Sequence, residues 1–543
     1  MLTIFLVTAL VFILAYRFYG KFLDKKFDIS NEKITPAHTC RDGVDCEPCQ
    51  PGVLFGHHFS SIAGAGPIVG PIIAGIAFGW VPALLWIVAG SIFIGGVHDY
   101  ASLVASIRHK GRSIAELAKG YMSKFAFKLF LIFIWLALVY ILVVFIDLTA
   151  TSYVDSPEAA SSSVMFIILA VMLGMILKKT SIPLKRASLI FIPLVFAGVY
   201  LGFLFPLTLP ITTLQGQTLW MIILIVYCLV ASLSPVWVLL QPRDYLSSFL
   251  LLGSITGAFI GLLLGGHEIN YPYFTSWSDI DKGTLFPILF ITVACGACSG
   301  FHSIVASGTT SKQLNKETDA RKVGYGAMLV EGLVAIIALF TVVMLDSGSS
   351  LLSENPLNIY GNGIGKFLEA LGLPYAAGKT FGILAVSTFL LTTLDTASRL
   401  GRYIFEEFIG ASFKGSTYVA TIASLLIPFV SIFITLYDSD GATIPVWRAI
   451  WPIFGVTNQL MAAFALLVIY IWMKNKGNNY IFLLIPMFFM MSMTVWALIQ
   501  LVYQSGLTLV GIVSLFLLLL TILLLFESFK SFRSNYMIRS LNN

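Results

Sequence analysis

Several ionisable side chains of this sequence stand where hydrocarbon would surround them. Glu331 lies well inside one long apolar stretch, His302 inside another, and Asp147 in the outer part of a third. An ionised group at that depth costs several kcal/mol unless it is paired or neutral. Each is therefore a candidate proton carrier, and a neutral Glu331 hydrogen-bonded between helices is the structural alternative. His57 and His58 open one apolar run, while His98 with Asp99, Arg243 with Asp244, and Asp395 with Arg399 stand at the ends of others. Asp395 and Arg399 are i, i+4, so they are expected to pair on one helix face. For Asp99, Asp244 and Arg399 the plainer role is to close an inner mouth with ion pairs. Ser60, Ser61, Ser303, Ser307 and Thr310 offer hydroxyls for a sodium cage, but no carboxylate is placed to complete it. Proton coupling is favoured over sodium on that ground.

Substrate contacts are expected where helices break. The run HHFSSIAGAGPIVGP, residues 57–71, carries Gly64, Gly66, Pro67, Gly70 and Pro71 in the middle of an apolar segment. Pro67 and Pro71 cannot donate to the preceding turn, so the helix should open there. Freed backbone groups survive in a membrane only when protein, water or ligand satisfies them. A broken helix at mid-depth is a common way to build a transport site. His57, His58 and Ser61 flank this break. Ser234 and Pro235, with Trp237 after them, read as a second half-helix start, with Ser as cap and Pro in the first turn. Positive dipole ends near Ile68 and Ser234 would suit a carboxylate. Two further irregular patches are ACGACSGFHS (294–303), which contains Ser299, and WPIFGVTNQ (451–459), which ends in Asn458 and Gln459.

Cys40, Cys46 and Cys49 share one loop with His38. The Cys46–Cys49 spacing suits a metal, which makes a structural or sensing metal site a candidate there. The loop is expected in the cytoplasm, where thiols remain unbridged. Cys295 and Cys298, at i, i+3 in an apolar segment, read as packing residues rather than a redox pair.

The elements that must position these groups are membrane helices. The chain has 543 residues, 58% hydrophobic and 11% charged, with mean hydropathy +0.90. That excludes a soluble domain and defines an all-α polytopic membrane protein. The net charge of +6 calls for no nucleic-acid partner, since Lys and Arg collect in cytoplasmic loops. About fifteen transmembrane helices are expected, at roughly 2–19, 57–79, 81–105, 129–154, 162–178, 187–205, 218–240, 245–267, 285–308, 322–345, 377–400, 416–437, 447–473, 479–502 and 506–528. Basic loops alternate with neutral or acidic ones such as 267–281 and 438–440, which places the N-terminus outside and the C-terminus in the cytoplasm. The first span lacks a basic segment before it and reads as an uncleaved anchor. Breaks five spans apart and oppositely directed predict a five-plus-five inverted repeat. The expected division is an anchor and Cys-bearing loop at 1–56, a core at 57–411 built from repeats 57–205 and 218–411, and accessory helices at 412–543.

The strings GHHFSSIAGAGPIVGP, GGVHDY, PVWVLLQPRDYL, ITVACGACSGFHSIVASGTTSK, ETDARKVGYGAMLVEG, LDTASRLGRY and WPIFGVTNQLMAA resemble those of the carbon starvation protein A family. The likeness runs from about residue 10 to 500. It implies an inner-membrane transporter linked to peptide uptake, with relatives that import pyruvate with protons, and a LeuT/APC-like fold. The Cys-bearing loop departs from the family pattern. No P-loop is present, so a gradient-driven transporter of peptides or another small carboxylate is expected, without a cofactor and not as an enzyme. Membrane lipid is the other expected partner. Pyruvate/proton symport is the alternative substrate reading. A membrane nutrient or metal sensor is the rival of another class, and no soluble output domain supports it.

Overall fold

In hydrocarbon every backbone N–H and C=O must be paired within the chain, so long apolar segments fold as helices. The computed structural model describes residues 1–42, 46–120, 123–208, 213–235, 237–279, 283–410, 413, 415–434, 436–437, 443–476 and 480–541. The acidic loop 438–440 and Asp281 lie outside the described residues. In chain order the principal helices are α1 (Leu2–Lys26), α2 (Pro51–Ile62), α3 (Gly66–Phe78), α4 (Trp80–Arg108), α5 (Lys124–Asp155), α6 (Pro157–Lys179), α7 (Leu184–Leu204) and α8 (Thr213–Leu233). They continue with α9 (Leu240–Leu264), α10 (Leu285–Thr292), α11 (Gly300–Gly308), α12 (Glu317–Val343), α13 (Pro356–Glu369) and α14 (Tyr375–Ile409). The last four are α15 (Ser416–Ser431), α16 (Val446–Asn475), α17 (Ile481–Ser505) and α18 (Leu509–Ser528).

Among the described residues, 12 helices are long and apolar enough to cross a membrane, or 13 when the bent pair α2/α3 counts as one span. Two of the fifteen expected spans fall short of that standard. Residues 416–437 yield only the shorter apolar helix α15, and residues 285–308 are split into α10 and α11. Among the described residues, strand is confined to two-residue antiparallel pairs, Ser278–Asp279 with Gly283–Thr284 and Leu436–Tyr437 with Thr443–Ile444.

One set of packing relations occurs twice. The long helices α5 and α14 lie along each other at the centre. α2 packs on α9 and α10 on α16; α3 packs on α12 and α11 on α4; α8 packs on α5 and α14, as α15 packs on α14 and α5. The helices α4 to α9 intervene between the two broken spans, so α10/α11 runs opposite to α2/α3. This is the inverted-repeat arrangement of broken-helix transporters. The α6–α7 hairpin has no counterpart in it.

The second break stands elsewhere than expected. α8 ends at Leu233, and the chain turns through Ser234 and Pro235 before α9 begins at Leu240. Ser234 Oγ donates back to Val230 O at 2.7 Å, serving the last turn of α8. A Pro just past a helix end is as ordinary as one at a helix start, and here it marks an end. Ser234, Pro235 and Trp237 therefore open no half-helix, and the second broken span is α10/α11.

Candidate functional site

The chain breaks at Ala63–Ala65 because Pro67 brings no N–H and its ring suits a first turn. α3 starts at Gly66 with Pro67 in that turn, and it leaves α2 at a bend of 45°. The N–H groups of Ile68 and Val69 donate to Ala65 O at 3.1 and 2.8 Å, so the new helix caps itself. The second break runs from Val293 to Ser299. Neighbouring helices satisfy it. Trp86 Nε1 of α4 donates to Val293 O at 3.1 Å, and Ser91 Oγ lies 3.0 Å from Gly296 O. Ser91 opens a π-helical turn, Ser91–Gly95, which widens α4 at the point where it meets the break. From α16, Asn458 Oδ1 accepts from Phe301 N at 2.9 Å and from Ser299 Oγ at 3.1 Å. Gln459 Nε2 donates to Phe290 O at 3.1 Å.

The two breaks touch. A Cβ on Gly66 would stand 2.3 Å from Cys295 Sγ, and one on Gly70 2.4 Å from Thr292 O. Gly64 faces the paired long helices, its Cβ position 2.7 Å from Thr393 Oγ1 and 3.0 Å from Phe145 Cε2. Phe145 and Thr393 are contacts the sequence reading missed; each stands two residues before a singled-out aspartate, Asp147 or Asp395.

Next to the breaks lie two buried polar networks. In the first, Asp99 of α4 sits between imidazoles, with His98 Nδ1 2.8 Å from Oδ1 and His302 Nδ1 2.8 Å from Oδ2. His302, in the first turn of α11, is itself between carboxylates, since its Nε2 lies 3.5 Å from Glu331 Oε2 on α12. His58 of α2 meets Thr310 Oγ1 at 2.9 Å. All five ionisable groups are fully buried. His302 and Glu331 can hold one proton between them in either of two places, as an ion pair or as a neutral pair. Among the described residues neither Glu331 oxygen nor His302 Nε2 has a hydrogen-bond partner, so no third group fixes that proton.

In the second network, His57 Nδ1 lies 2.7 Å from Asp244 Oδ2, to which Ser61 Oγ also donates at 3.3 Å. Arg243 holds Asp244 Oδ1 at 3.1 Å and Asp395 Oδ2 at 3.2 Å, and it donates to the Tyr227 hydroxyl. α8, α9 and α14 thus meet on one buried guanidinium, and α2 joins them through Asp244.

Other expected groups lie elsewhere. Asp395 pairs with Arg243 rather than with Arg399. Arg399 instead donates to Ala231 O at 2.8 Å and Ser234 O at 2.6 Å, and Arg402 to Ser232 O at 2.6 Å. The last carbonyls of a helix lack partners within it and attract cations, and α8 ends there. Asp147 stands apart from both networks. It accepts from Trp447 N at 2.8 Å and Gln217 Nε2 at 2.7 Å, capping the start of α16. The hydroxyls of the expected sodium cage have separate partners. Ser60 donates to Asp244 O, Ser303 to Gly300 O, Ser307 to Ser303 O, and Thr310 meets His58.

The cysteine loop is held by its backbone. Cys49 N donates to Gln313 O at 3.0 Å, and Cys40 Sγ lies 3.9 Å from Lys110 O. Burial pushes the Cys49 thiol up to about 11, against the thiolate a metal needs. Among the described residues no group of three or more His, Cys, Asp or Glu is placed to hold a metal ion, so Cys40, Cys46 and Cys49 are not brought together as one.

Paired breaks within an inverted repeat, beside buried titratable groups, define a membrane transporter. Residues 1–361 and 349–497 match the family model described as Carbon starvation protein CstA, and the chain belongs to that family. The peptide transporter CstA of Bacillus subtilis is 34% identical, over 89% of this chain and 88% of that one. The peptide transporter CstA of Campylobacter jejuni is 32% identical, over 93% and 81%. The pyruvate/proton symporter BtsT of Escherichia coli is 30% identical, over 90% and 80%. Among solved structures, MhsT in complex with L-phenylalanine resembles the chain with a TM-score of 0.47 and 14% identity, over 88% and 98%. The fold described above rests on the chain's own packing.

Proposed function

We propose that this chain imports short peptides together with protons, through a site at the paired breaks. The observation that carries the reading is His302. It belongs to the half-helix that starts at the second break, and its two nitrogens face Asp99 and Glu331. Gain or loss of a proton by the His302–Glu331 pair changes the net charge at the foot of that half-helix, which links proton binding to the arrangement of the break. The α3 and α11 half-helices begin at the breaks, and their positive ends favour a substrate carboxylate. Gly64, Gly66, Pro67, Phe145, Thr393 and Ser299 are the proposed substrate contacts. His57, His58, Asp244, Arg243 and Asp395 are the proposed closure on the cytoplasmic side, with the C-terminus on that side too.

The transport core is proposed as two repeats, α2/α3, α4, α5, α8 and α9 against α10/α11, α12, α14, α15 and α16. This redraws the expected division, because α6–α7 becomes an insertion and α15–α16 join the core. Pyruvate is the second substrate reading, favoured by the similarity to the pyruvate/proton symporter. Sodium-free vesicles with an imposed proton gradient, given labelled alanylalanine or labelled pyruvate, test both parts. Accumulation of the dipeptide on the pH step supports the reading. Pyruvate accumulation alone replaces the substrate, and uptake that needs added sodium overturns proton coupling.

A further inference from the structure

Away from the breaks and both buried networks, a pocket of about 430 Å³ opens between the end of α6, the start of α7, the turn into α9 and the chain before α2. Leu173, Leu177 and Leu184 give it apolar wall, and Trp237 and Tyr245 give it aromatic wall. Two cations line it. Arg41 is balanced by Glu47 at 3.0 Å. Lys178 has no carboxylate partner among the described residues, and its Nζ lies 5.7 Å from the centre of the Trp237 ring. Among the described residues, then, one positive charge beside this apolar surface has no carboxylate partner.

Its position says what could supply the anion. Residues 178–186, KKTSIPLKR, contain Lys178, Lys179, Lys185 and Arg186 and no carboxylate, and all four cations are exposed. Just beyond them α7 turns Leu189 and Ile190 outward, at 77% and 61% exposure. The pocket mouth thus lies where apolar helix surface gives way to a basic turn, the level of phospholipid headgroups. A small inorganic ion would leave the leucines and the indole unused. An amphiphile with a phosphate and an apolar chain uses both.

We infer that this pocket binds a phosphate-bearing amphiphile, the headgroup and upper chain of an anionic phospholipid. Its occupant would brace the turn between α8 and α9. That turn is tightly built, since a Cβ on Gly174 of α6 would stand 2.7 Å from Trp237 O. Arg243 and Asp244 follow the pocket-lining Gln241 and Pro242 directly, so bracing the turn holds Asp244 against His57.

The test uses the purified full chain in neutral detergent, with binding read from tryptophan fluorescence. Phosphatidylglycerol, phosphatidylcholine and glycerol 3-phosphate are added in separate arms. Saturable binding of phosphatidylglycerol but not phosphatidylcholine is expected, weakened about fivefold by Lys178→Ala. Leu177→Trp, which fills the pocket without changing charge, should also block it. Lys185→Ala, outside the lining, should leave the affinity nearly unchanged. Glycerol 3-phosphate binding with the same Lys178 dependence supports the phosphate site and assigns it to a soluble ester. Equal binding of phosphatidylcholine, or equal losses in Lys178→Ala and Lys185→Ala, overturns the inference, because attraction would then be diffuse.

Discussion

Gly66→Ala adds one methyl group at the contact between the two breaks. Its carbon would stand 2.3 Å from Cys295 Sγ and 2.5 Å from Cys295 Cβ. Ordinary contacts of this kind are about 3.5–4.0 Å, so more than an ångström of overlap must be relieved. Overpacking on this scale costs about 1–3 kcal/mol. That is roughly 5- to 150-fold in the population of the arrangement in which the breaks touch. Uptake should fall accordingly in membranes holding normal amounts of protein. The geometry also predicts a graded rescue. Cys295→Ala removes the sulfur but keeps the Cβ at 2.5 Å, so it should restore little. Cys295→Gly removes both atoms and should restore most of the lost rate. The assay is the initial rate of labelled dipeptide uptake, divided by the amount of protein in the membrane. Normal uptake by Gly66→Ala would refute the reasoning, and so would rescue by Cys295→Ala as complete as that by Cys295→Gly.

Glu331→Gln keeps the side-chain shape but removes the titratable carboxyl that faces His302, so gradient-driven uptake should fall much more than substrate exchange across the same vesicles; equal loss of both would assign Glu331 to structure. Arg243→Ala leaves Asp244 and Asp395 buried without their cation, at a cost of about 3–5 kcal/mol. It should lower the unfolding temperature sharply, and adding Asp395→Leu should recover part of the loss; a single variant as stable as the parent contradicts the network. Asp147→Ala uncaps α16 and should cost about 1–2 kcal/mol in stability while leaving the pH profile of uptake unshifted; a shifted profile would return Asp147 to the coupling groups.

The residues that break helices were legible in the sequence, and the partners of charged residues were not. Pro67 acts through its own missing N–H group, so the break at Ala63–Ala65 follows from the local string; Pro71, expected to open the helix as well, lies inside the continuous α3. The string ACGACSGFHS also marked an irregular patch, but its pairing with the first break needed the fold. Ser234–Pro235 misled because the same dipeptide suits a helix start and the residues after a helix end. Local spacing likewise suggested Asp395 with Arg399, one turn apart on α14. The actual partners are Arg243 on α9 and the end of α8, more than a hundred residues away in the chain. Asp147 looked like a proton carrier because its depth was visible while the α16 N-terminus facing it was not. Length and composition pick out fewer helices than the fifteen expected spans, because α15 is short and the second broken span is divided into α10 and α11, yet both pack as members of the repeats.

Arg399 and Arg402 grip main-chain oxygens at Ala231, Ser232 and Ser234. Such a contact ignores which side chains those residues carry, because every amino acid presents the same carbonyl. Over evolutionary time the stretch can change its spelling freely so long as it still ends a helix. It cannot change its length, since one inserted or deleted residue would rotate the carbonyls out of reach. Relatives are therefore expected to differ at these positions by substitution and to share the same register, leaving the two arginines as the fixed side of a contact whose other side is anonymous.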